Sequence, residues 1–310
     1  MNQIAKDWVD YEVIDAGGKE KLERWNDVIL RRPDPVAIWP VDNPGPWKKA
    51  DAVYHRSNKG GGQWEYKKQI RPEWVISYKD LLFKISPTGF KHTGLFPEQA
   101  SNWDFIMKAI RQAKTERPER EIRVLNLFAY TGGATMAAAK AGADEVIHLD
   151  ASKGINAWAK ENMELNHLED KKIRFLIDDA LKFIRREQRR GRTYQGIIMD
   201  PPSYGRGPNG EVWKLEDNIY ELINEAQKIL ADDGLFFIVN LYTTGFPLST
   251  LRQTLERTIV RHHGGFVETG ETLLPVTAEH AVLPCGLFGR WTSFPTPAER
   301  IEEAMVQDFD

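Results

Sequence analysis

From Ile122 onward, short apolar runs alternate with stretches of helical periodicity. That order admits few folds, because strands separated by crossover helices pair in parallel and are covered by those helices on both faces. The runs at 122–129, 145–149, 173–177, 196–199 and 235–241 read as strands, and 134–141, 152–165, 180–190, 215–230 and 248–262 read as helices. Between the last two apolar runs, 266–274 and 281–291, there are too few residues for a crossover, so these two are expected to be antiparallel. The expected fold class is α/β, with a mostly parallel seven-stranded sheet.

The preceding part is built differently. Seven of the ten tryptophans precede residue 104, and residues 36–86 hold short β-prone runs, such as Trp74-Val75-Ile76-Ser77-Tyr78, broken by Pro40, Pro44-Gly45-Pro46 and Gly60-Gly61-Gly62. The expected organisation is a small β-rich N-terminal domain over 1–86, a connecting segment over 87–121, the α/β domain over 122–294, and a tail over 295–310 that forms a short terminal helix.

Composition narrows the classes. Forty-two Lys plus Arg against 45 Asp plus Glu give a net charge of −3, which excludes a polybasic coat or an acidic tail. No apolar run nears the ~18 residues of a membrane span, and Met1-Asn2-Gln3-Ile4-Ala5-Lys6-Asp7 lacks a signal-peptide core. The expectation is a soluble, cytoplasmic protein. The single cysteine, Cys285, can form neither an internal disulfide nor a cysteine-rich zinc site, and the seven histidines, including His262-His263, show no metal spacing. No metal is expected.

The first chemical signal is Asn126-Leu127-Phe128-Ala129-Tyr130-Thr131-Gly132-Gly133, a strand entering a glycine turn and then a helix. Open α/β sheets bind ligands at the carboxyl ends of strands, and glycines admit close backbone approach, although two glycines also suffice for a tight turn alone. The GxGxxG spacing of dinucleotide sites is missing. Asp150 ends the second strand, where a carboxylate accepts ribose hydroxyls of nicotinamide cofactors and S-adenosylmethionine alike. Asp178-Asp179 ends the third, and Asp179 fits both an adenine amino acceptor and a helix N-cap. Asp200-Pro201-Pro202-Ser203-Tyr204 ends the fourth. Two prolines there fix the backbone and leave carbonyls with no competing amide donors, an acceptor array suited to an amino or ring nitrogen, with an aromatic ring to stack on a base. Trp213 and Lys214 follow on the next loop and fit either a substrate cover or ordinary helix-end packing.

Residues 122–291, through NLFAYTGG, HLD, DDALKF and MDPPSY, resemble a class I S-adenosylmethionine-dependent methyltransferase with its Rossmann-like fold, and within that class the bacterial 23S rRNA methyltransferase group. Upstream, Lys91-His92-Thr93-Gly94-Leu95-Phe96-Pro97-Glu98-Gln99 resembles the KTGxFxDQ segment that borders the cofactor in that group. The resemblance implies S-adenosyl-L-methionine as cofactor. It places Thr131, Gly132, Gly133, Asp150, Asp179 and Asp200 along the cofactor, with Gly94, Phe96 and Gln99 closing the site.

Two departures from the group bear on the substrate. Methylation of cytosine C5 needs a cysteine nucleophile, yet the segment after the fifth strand, Asn240-Leu241-Tyr242-Thr243-Thr244, carries none, and Cys285 lies in a terminal strand. Nitrogen methylation is therefore expected, with Asp200 and Pro201 as acceptors and Tyr204 as the stacking group. The N-terminal region does not resemble the group's usual RNA-binding module. It nevertheless holds seven basic residues (Lys48, Lys49, Arg56, Lys59, Lys67, Lys68, Arg71) against Asp51 and Glu65 over 43–72, with Trp47, Tyr54, Trp64 and Tyr66 interleaved. Phosphate neutralisation with stacking uses such a composition, and so does a solvated edge. The expected partner is RNA, with a small-molecule or protein methyltransferase and a non-catalytic cofactor-binding module as the competing readings. A second basic run, Lys182, Arg185, Arg186, Arg189, Arg190 and Arg192, also suits the end of a helix.

Overall fold

The computed structural model describes residues 1–57, 61–89, 91–206, 212–243, 245–278 and 281–295. The terminal helix expected over 295–310, and Lys59 and Thr244, lie outside the described residues, apart from position 295 itself. The N-terminal part supplies β1 (Gln3–Ile4), β2 (Tyr11–Gly17), β3 (Glu20–Trp25), β4 (Val28–Pro33), β5 (Ala52–Arg56), β6 (Gly62–Tyr66), β7 (Trp74–Tyr78) and β8 (Leu81–Ile85). A helix, α1 (Ala100–Glu116), leads into the alternating part: β9 (Arg123–Leu127), α2 (Gly133–Lys140), β10 (Glu145–Leu149), α3 (Lys153–Leu165), β11 (Ile173–Leu176), α4 (Ala180–Arg189) and β12 (Gly196–Met199). A small hairpin, β13 (Tyr204–Arg206) and β14 (Val212–Lys214), precedes α5 (Leu215–Ala226), β15 (Phe236–Leu241), α6 (Leu248–Leu255), β16 (Phe266–Val276) and β17 (Ala281–Thr292).

Among the described residues, the alternating part forms the order β11-β10-β9-β12-β15-β17-β16. The first five strands are parallel and β17 runs antiparallel to both neighbours, as the short link before it requires. Every residue of β10, β12 and β15 is buried, whereas β4 and β8 alternate between buried and half-buried. The difference follows from cover: helices lie on both faces of the central strands, while the antiparallel strands turn one face to the core. Successive residues of β9, β10, β12 and β15 divide between two cores, Val124, Val146, Ile198 and Phe236 on one side, Leu125, Ile147, Met199 and Phe237 on the other. The first core takes Trp103, Ile106, Met107 and Ile110 of α1, and the second takes Phe183 and Ile184 of α4 and Leu222 and Ile223 of α5. Within the connecting segment expected over 87–121, α1 is the element that the sequence reading did not assign; its apolar residues recur at helical spacing on one face.

The sheet does not stop at β16. Strand β2 joins it in parallel through Val276 and Val13, and β3, β4, β5 and β6 extend it. The hairpin β7–β8 is a separate pair whose backbone is fastened to α3: Asn162 accepts from the Lys84 amide at 2.9 Å, and Asn166 bonds Leu82 on both sides, at 2.9 and 2.7 Å.

Candidate active site

Strands β9 and β12 are neighbours in the sheet, but the chain leaves β9 toward β10 on one side and β12 toward β15 on the other. Such a reversal opens a crevice at the carboxyl ends of the two strands. The loop after β9 holds Phe128, Tyr130 and Gly132 at φ +55°, +49° and +89°. Two non-glycine residues in the left-handed region cost free energy unless neighbours hold them, and the neighbours are visible. Asp150, at the end of β10, accepts from the Tyr130 amide at 3.1 Å and from the Ser152 amide at 2.9 Å. Asn162 donates to the Thr131 carbonyl at 2.9 Å. A Cβ on Gly133 would lie 2.6 Å from the Trp103 indole, so only glycine lets α1 approach this turn.

The segment around Gly94 closes on the loop. Thr131 Oγ1 donates to the Gly94 carbonyl at 2.6 Å, and Gly94, at φ +100°, abuts the Trp158 ring so closely that a Cβ would sit 2.2 Å from it. Phe96 packs between Tyr130 and Tyr242, ring centres 5.3 and 5.4 Å away. Gln99 Nε2 donates to the Tyr242 hydroxyl at 2.7 Å, and Asn102 Nδ2 bridges Gln99 Oε1 and Asn240 Oδ1, each at 2.8 Å. Arg290 orients Asn102 through Nε at 2.8 Å.

Asp150 is half-buried, and burial raises its pKa against the two amides that lower it. Each of its oxygens accepts one amide and keeps a lone pair for a further donor, the arrangement that a ribose diol needs. Asp179 is exposed and caps α4, accepting from the Lys182 amide at 2.8 Å, while Asp178 pairs with Arg186. The N-cap use of Asp179 is thus realised, and one of its oxygens is engaged in it. The Asp200 amide reaches the Leu127 carbonyl at 3.4 Å and ties the ends of β12 and β9 together. Burial pushes the Asp200 carboxyl well above the usual range, and Glu98 adds to the shift. Pro201 is buried, whereas the Pro202 carbonyl is taken by Trp213 Nε1 at 2.6 Å. Trp213 therefore has a positional role, holding the hairpin against this loop. Tyr204, on β13 opposite Lys214, is 52% exposed and stands at the rim.

The structure brings Gly94, Phe96, Gln99, Thr131, Gly132, Gly133, Asp150, Asp200 and Pro201 together at this crevice and leaves Asp179 and Tyr204 at more open positions. Two residues of the crevice escaped the sequence reading. Glu98 lies between Phe96 and Gln99 in the segment that borders the loop, and Tyr242 occupies the position after β15, in a stretch without a thiol. Cys285 is half-buried in β17, its pKa raised by burial and then by Glu98, which keeps it a thiol and a poor nucleophile. Among the described residues, no group of three His, Cys, Asp or Glu is placed to hold a metal, and no helix is long and apolar enough to cross a membrane.

The strand order and the crevice define an α/β protein of the class that binds its ligand at a switch point. Residues 55–245, more than half of the chain, match the family model of S-adenosylmethionine-dependent methyltransferases, and the chain belongs to that family. Its cofactor is S-adenosyl-L-methionine, and the expected class I fold is the one observed. A solved S-adenosylmethionine-dependent methyltransferase from Agrobacterium tumefaciens is 36% identical and superposes with a TM-score of 0.87 over 95% of this chain and 94% of that one. A methyltransferase solved with SAH shares the fold at 18% identity, TM-score 0.69, over 92% of this chain and 76% of that one. The ribosomal RNA large subunit methyltransferase K/L of Shewanella baltica is 30% identical over 214 residues, which are 68% of this chain and 27% of that protein. The chain thus matches about a quarter of the length of such curated relatives.

Proposed function

We propose that this enzyme methylates a base nitrogen in RNA of the ribosomal type, in the cytoplasm, with residues 1–86 presenting the RNA and 122–294 carrying the transfer. The observation that carries the nitrogen assignment is the crevice itself. Asp200 and the Pro201 carbonyl end β12 there, and an aromatic ring, Tyr242, stands where a carbon-directed enzyme would need its thiol. When bound, S-adenosylmethionine supplies a methyl group already activated by the sulfonium, so the protein's share is alignment, exclusion of water and a place for the displaced proton. Thr131, Gly132, Gly133 and Asp150 would line the cofactor, with Asp179 toward the adenine and Gly94, Phe96 and Gln99 closing over it. Asp200 and Pro201 would hold the nitrogen, and Tyr204 at the rim would stack on or steer the base.

RNA as substrate draws support from the Shewanella relatives and from the N-terminal surface. Lys48, Lys49, Arg56 and Lys67 are exposed and make no ion pair among the described residues, whereas Lys68 pairs with Asp51 and Arg71 with Asp27. Of the interleaved aromatics, Trp47 and Tyr54 are buried, and Trp47 donates to Asp15 at 2.6 Å; Tyr66, 53% exposed, is the ring most available to stack. On α4 and just beyond it, Arg185, Arg186, Arg190 and Arg192 are paired with Glu221, Asp178, Glu187 and Glu145, which favours the helix-end use of that run.

Tritium transfer from labelled cofactor to total RNA, protein and metabolite fractions tests the substrate. Label in RNA supports the reading, and label confined to protein or metabolites overturns it. Replacing Lys48, Lys49, Lys67 and Lys68 by Ala should lower RNA affinity and flatten its salt dependence, the slope of log affinity against log salt becoming less negative by up to about 0.7 per lost phosphate contact on a single strand. Cofactor affinity should be unchanged. Asp150→Ala should weaken S-adenosylmethionine binding by about 1.5–3 kcal/mol, the range for hydrogen bonds to charged groups. Calorimetry reads this directly, and a folded variant with parental affinity would remove Asp150 from the cofactor site.

A further inference from the structure

Arg290 starts a one-way chain of hydrogen bonds. It is buried on β17, its guanidinium lies over the Phe105 and Phe288 rings at 4.7 and 4.6 Å, and burial lowers its pKa only to about 10, so it is charged at neutral pH. A guanidinium can only donate. Its Nε and one Nη meet Asn102 Oδ1 at 2.8 and 2.6 Å, so that oxygen is the acceptor and Asn102 must turn its amino group the other way. The amino group donates to Asn240 Oδ1 and to Gln99 Oε1, each at 2.8 Å, which fixes Gln99 in turn. Gln99 Nε2 then donates to the Tyr242 hydroxyl at 2.7 Å. Asn102 and Gln99 therefore have one allowed orientation each, and the Tyr242 oxygen at the end of the chain is an acceptor whose own proton points elsewhere.

That end lies in the crevice. Tyr242 follows β15, which pairs with β12 as far as Val239 and Met199, and the next residue, Thr243, donates to Ser203 Oγ in the loop after β12 at 2.7 Å. The Tyr242 ring packs against Phe96, 5.4 Å away, and Phe96 packs against Tyr130 of the β9 loop at 5.3 Å. Strand β17 comes so close that a Cβ on Gly286 would lie 3.1 Å from the Tyr242 ring. Phe96, Gln99 and Tyr242 are half-buried, whereas Asn102 and Arg290 are shut off from solvent. The chain of bonds thus runs from the core to the open part of the site.

We propose that Tyr242 is a specificity-determining residue, its hydroxyl a fixed hydrogen-bond donor to an acceptor on the target base, and that Asn102 is the positioning residue that sets this sense. The proposal rests on methylation of an RNA base nitrogen as read above. The partner is a ring nitrogen or an exocyclic oxygen of the base. An edge that turns an N–H toward Tyr242 is rejected, since two donors would face each other. Burial holds the Tyr242 hydroxyl well above its ordinary pKa, so it keeps its proton at neutral pH. Within the protein the Glu98 carboxyl competes for that proton, and the rate of transfer decides between the two acceptors.

The test is single-turnover transfer of tritiated methyl into total RNA from cells lacking the enzyme, with S-adenosylhomocysteine affinity and urea melts as controls. Tyr242→Phe should lose roughly tenfold in rate at limiting RNA. Asn102→Asp should lose roughly 10–100-fold through a reversal of the chain. Arg290 still pairs with the carboxylate, whose other oxygen accepts from Gln99. Gln99 therefore turns over, its Oε1 draws the Tyr242 proton inward, and an oxygen lone pair faces the base. Gln99→Glu forces the same reversal from the next link and takes its place should Asn102→Asp unfold. Combining Asn102→Asp with Tyr242→Phe should return the rate to that of Tyr242→Phe alone, a recovery that a loss of packing does not give. Inhibitor affinity should stay within threefold in the Tyr242→Phe, Asn102→Asp and double variants. A Tyr242→Phe rate within threefold of the parent, which leaves the proton to Glu98, or losses that multiply in the double variant, overturns the proposal. If digestion finds the methyl on nitrogen while Tyr242→Phe is fully active, only the role of Tyr242 falls. A methyl on carbon, or absent from RNA, sinks both readings.

Discussion

Asp200→Ala is expected to lower the single-turnover rate by about 10²–10⁴-fold, the range for loss of a positioned acid–base group, while S-adenosylhomocysteine affinity stays within a few-fold. The asymmetry follows from place. Asp200 sits where β12 ends against β9, beside the buried Pro201, at the carboxyl end of a strand next to the switch point. Removing it takes away an interaction that strengthens as charge moves at the nitrogen, and the cofactor's own contacts remain. Stopped single-turnover reactions with calorimetry in parallel decide the matter. Equal losses of affinity and rate would instead make Asp200 a cofactor ligand only.

The second large effect concerns stability. Glu23 is fully buried; Arg32 donates to its two oxygens at 2.6 and 2.8 Å, and the Tyr11 hydroxyl donates at 2.6 Å. Glu23→Ala leaves Arg32 charged and buried without its partner, a change worth about 3–5 kcal/mol of destabilisation in urea melts. Replacing both residues together, Glu23→Leu with Arg32→Met, should recover much of that loss, because no unpaired charge is left. Burial alone would raise the carboxyl, but Arg32 and then Lys21 overcome it and hold the pKa at about 2, against an ordinary 4.5. The folded pKa lies below the unfolded one, so the pair's contribution is fully present above pH 4.5 and is lost as pH falls toward 2. Urea melts between these limits should show the parent losing stability and the double variant losing less. Parallel curves would remove Glu23 from the acid response.

The crevice and its loop were largely legible because they follow from local pattern. A buried strand ending in Asp200-Pro201-Pro202, or a strand entering Thr131-Gly132-Gly133, is a statement about a dozen consecutive residues. The interleaved Trp47 and Tyr54 were less legible. Composition suggested stacking surfaces, and the structure spends both rings on packing, since an indole that reaches Asp15 gains more inside than on a rim. The basic run near α4 likewise reads as a charge patch until Glu145, Glu187 and Glu221 are brought against it.

Taken alone, the sequence determined the order of strands and helices, the antiparallel final pair and the residues at the switch point, because burial on one face or both writes a period of 2 or 3.6 into neighbouring positions. Only the tertiary structure decided that β2 continues the sheet from β16 through Val13 and Val276, and that Phe96, Gln99, Tyr130 and Tyr242 meet at the crevice. These side chains come from three stretches far apart in the chain. Their meeting depends on register and packing angle, which no local period encodes, and a buried carboxylate such as Glu98 reads in sequence like any exposed one until its surroundings are known.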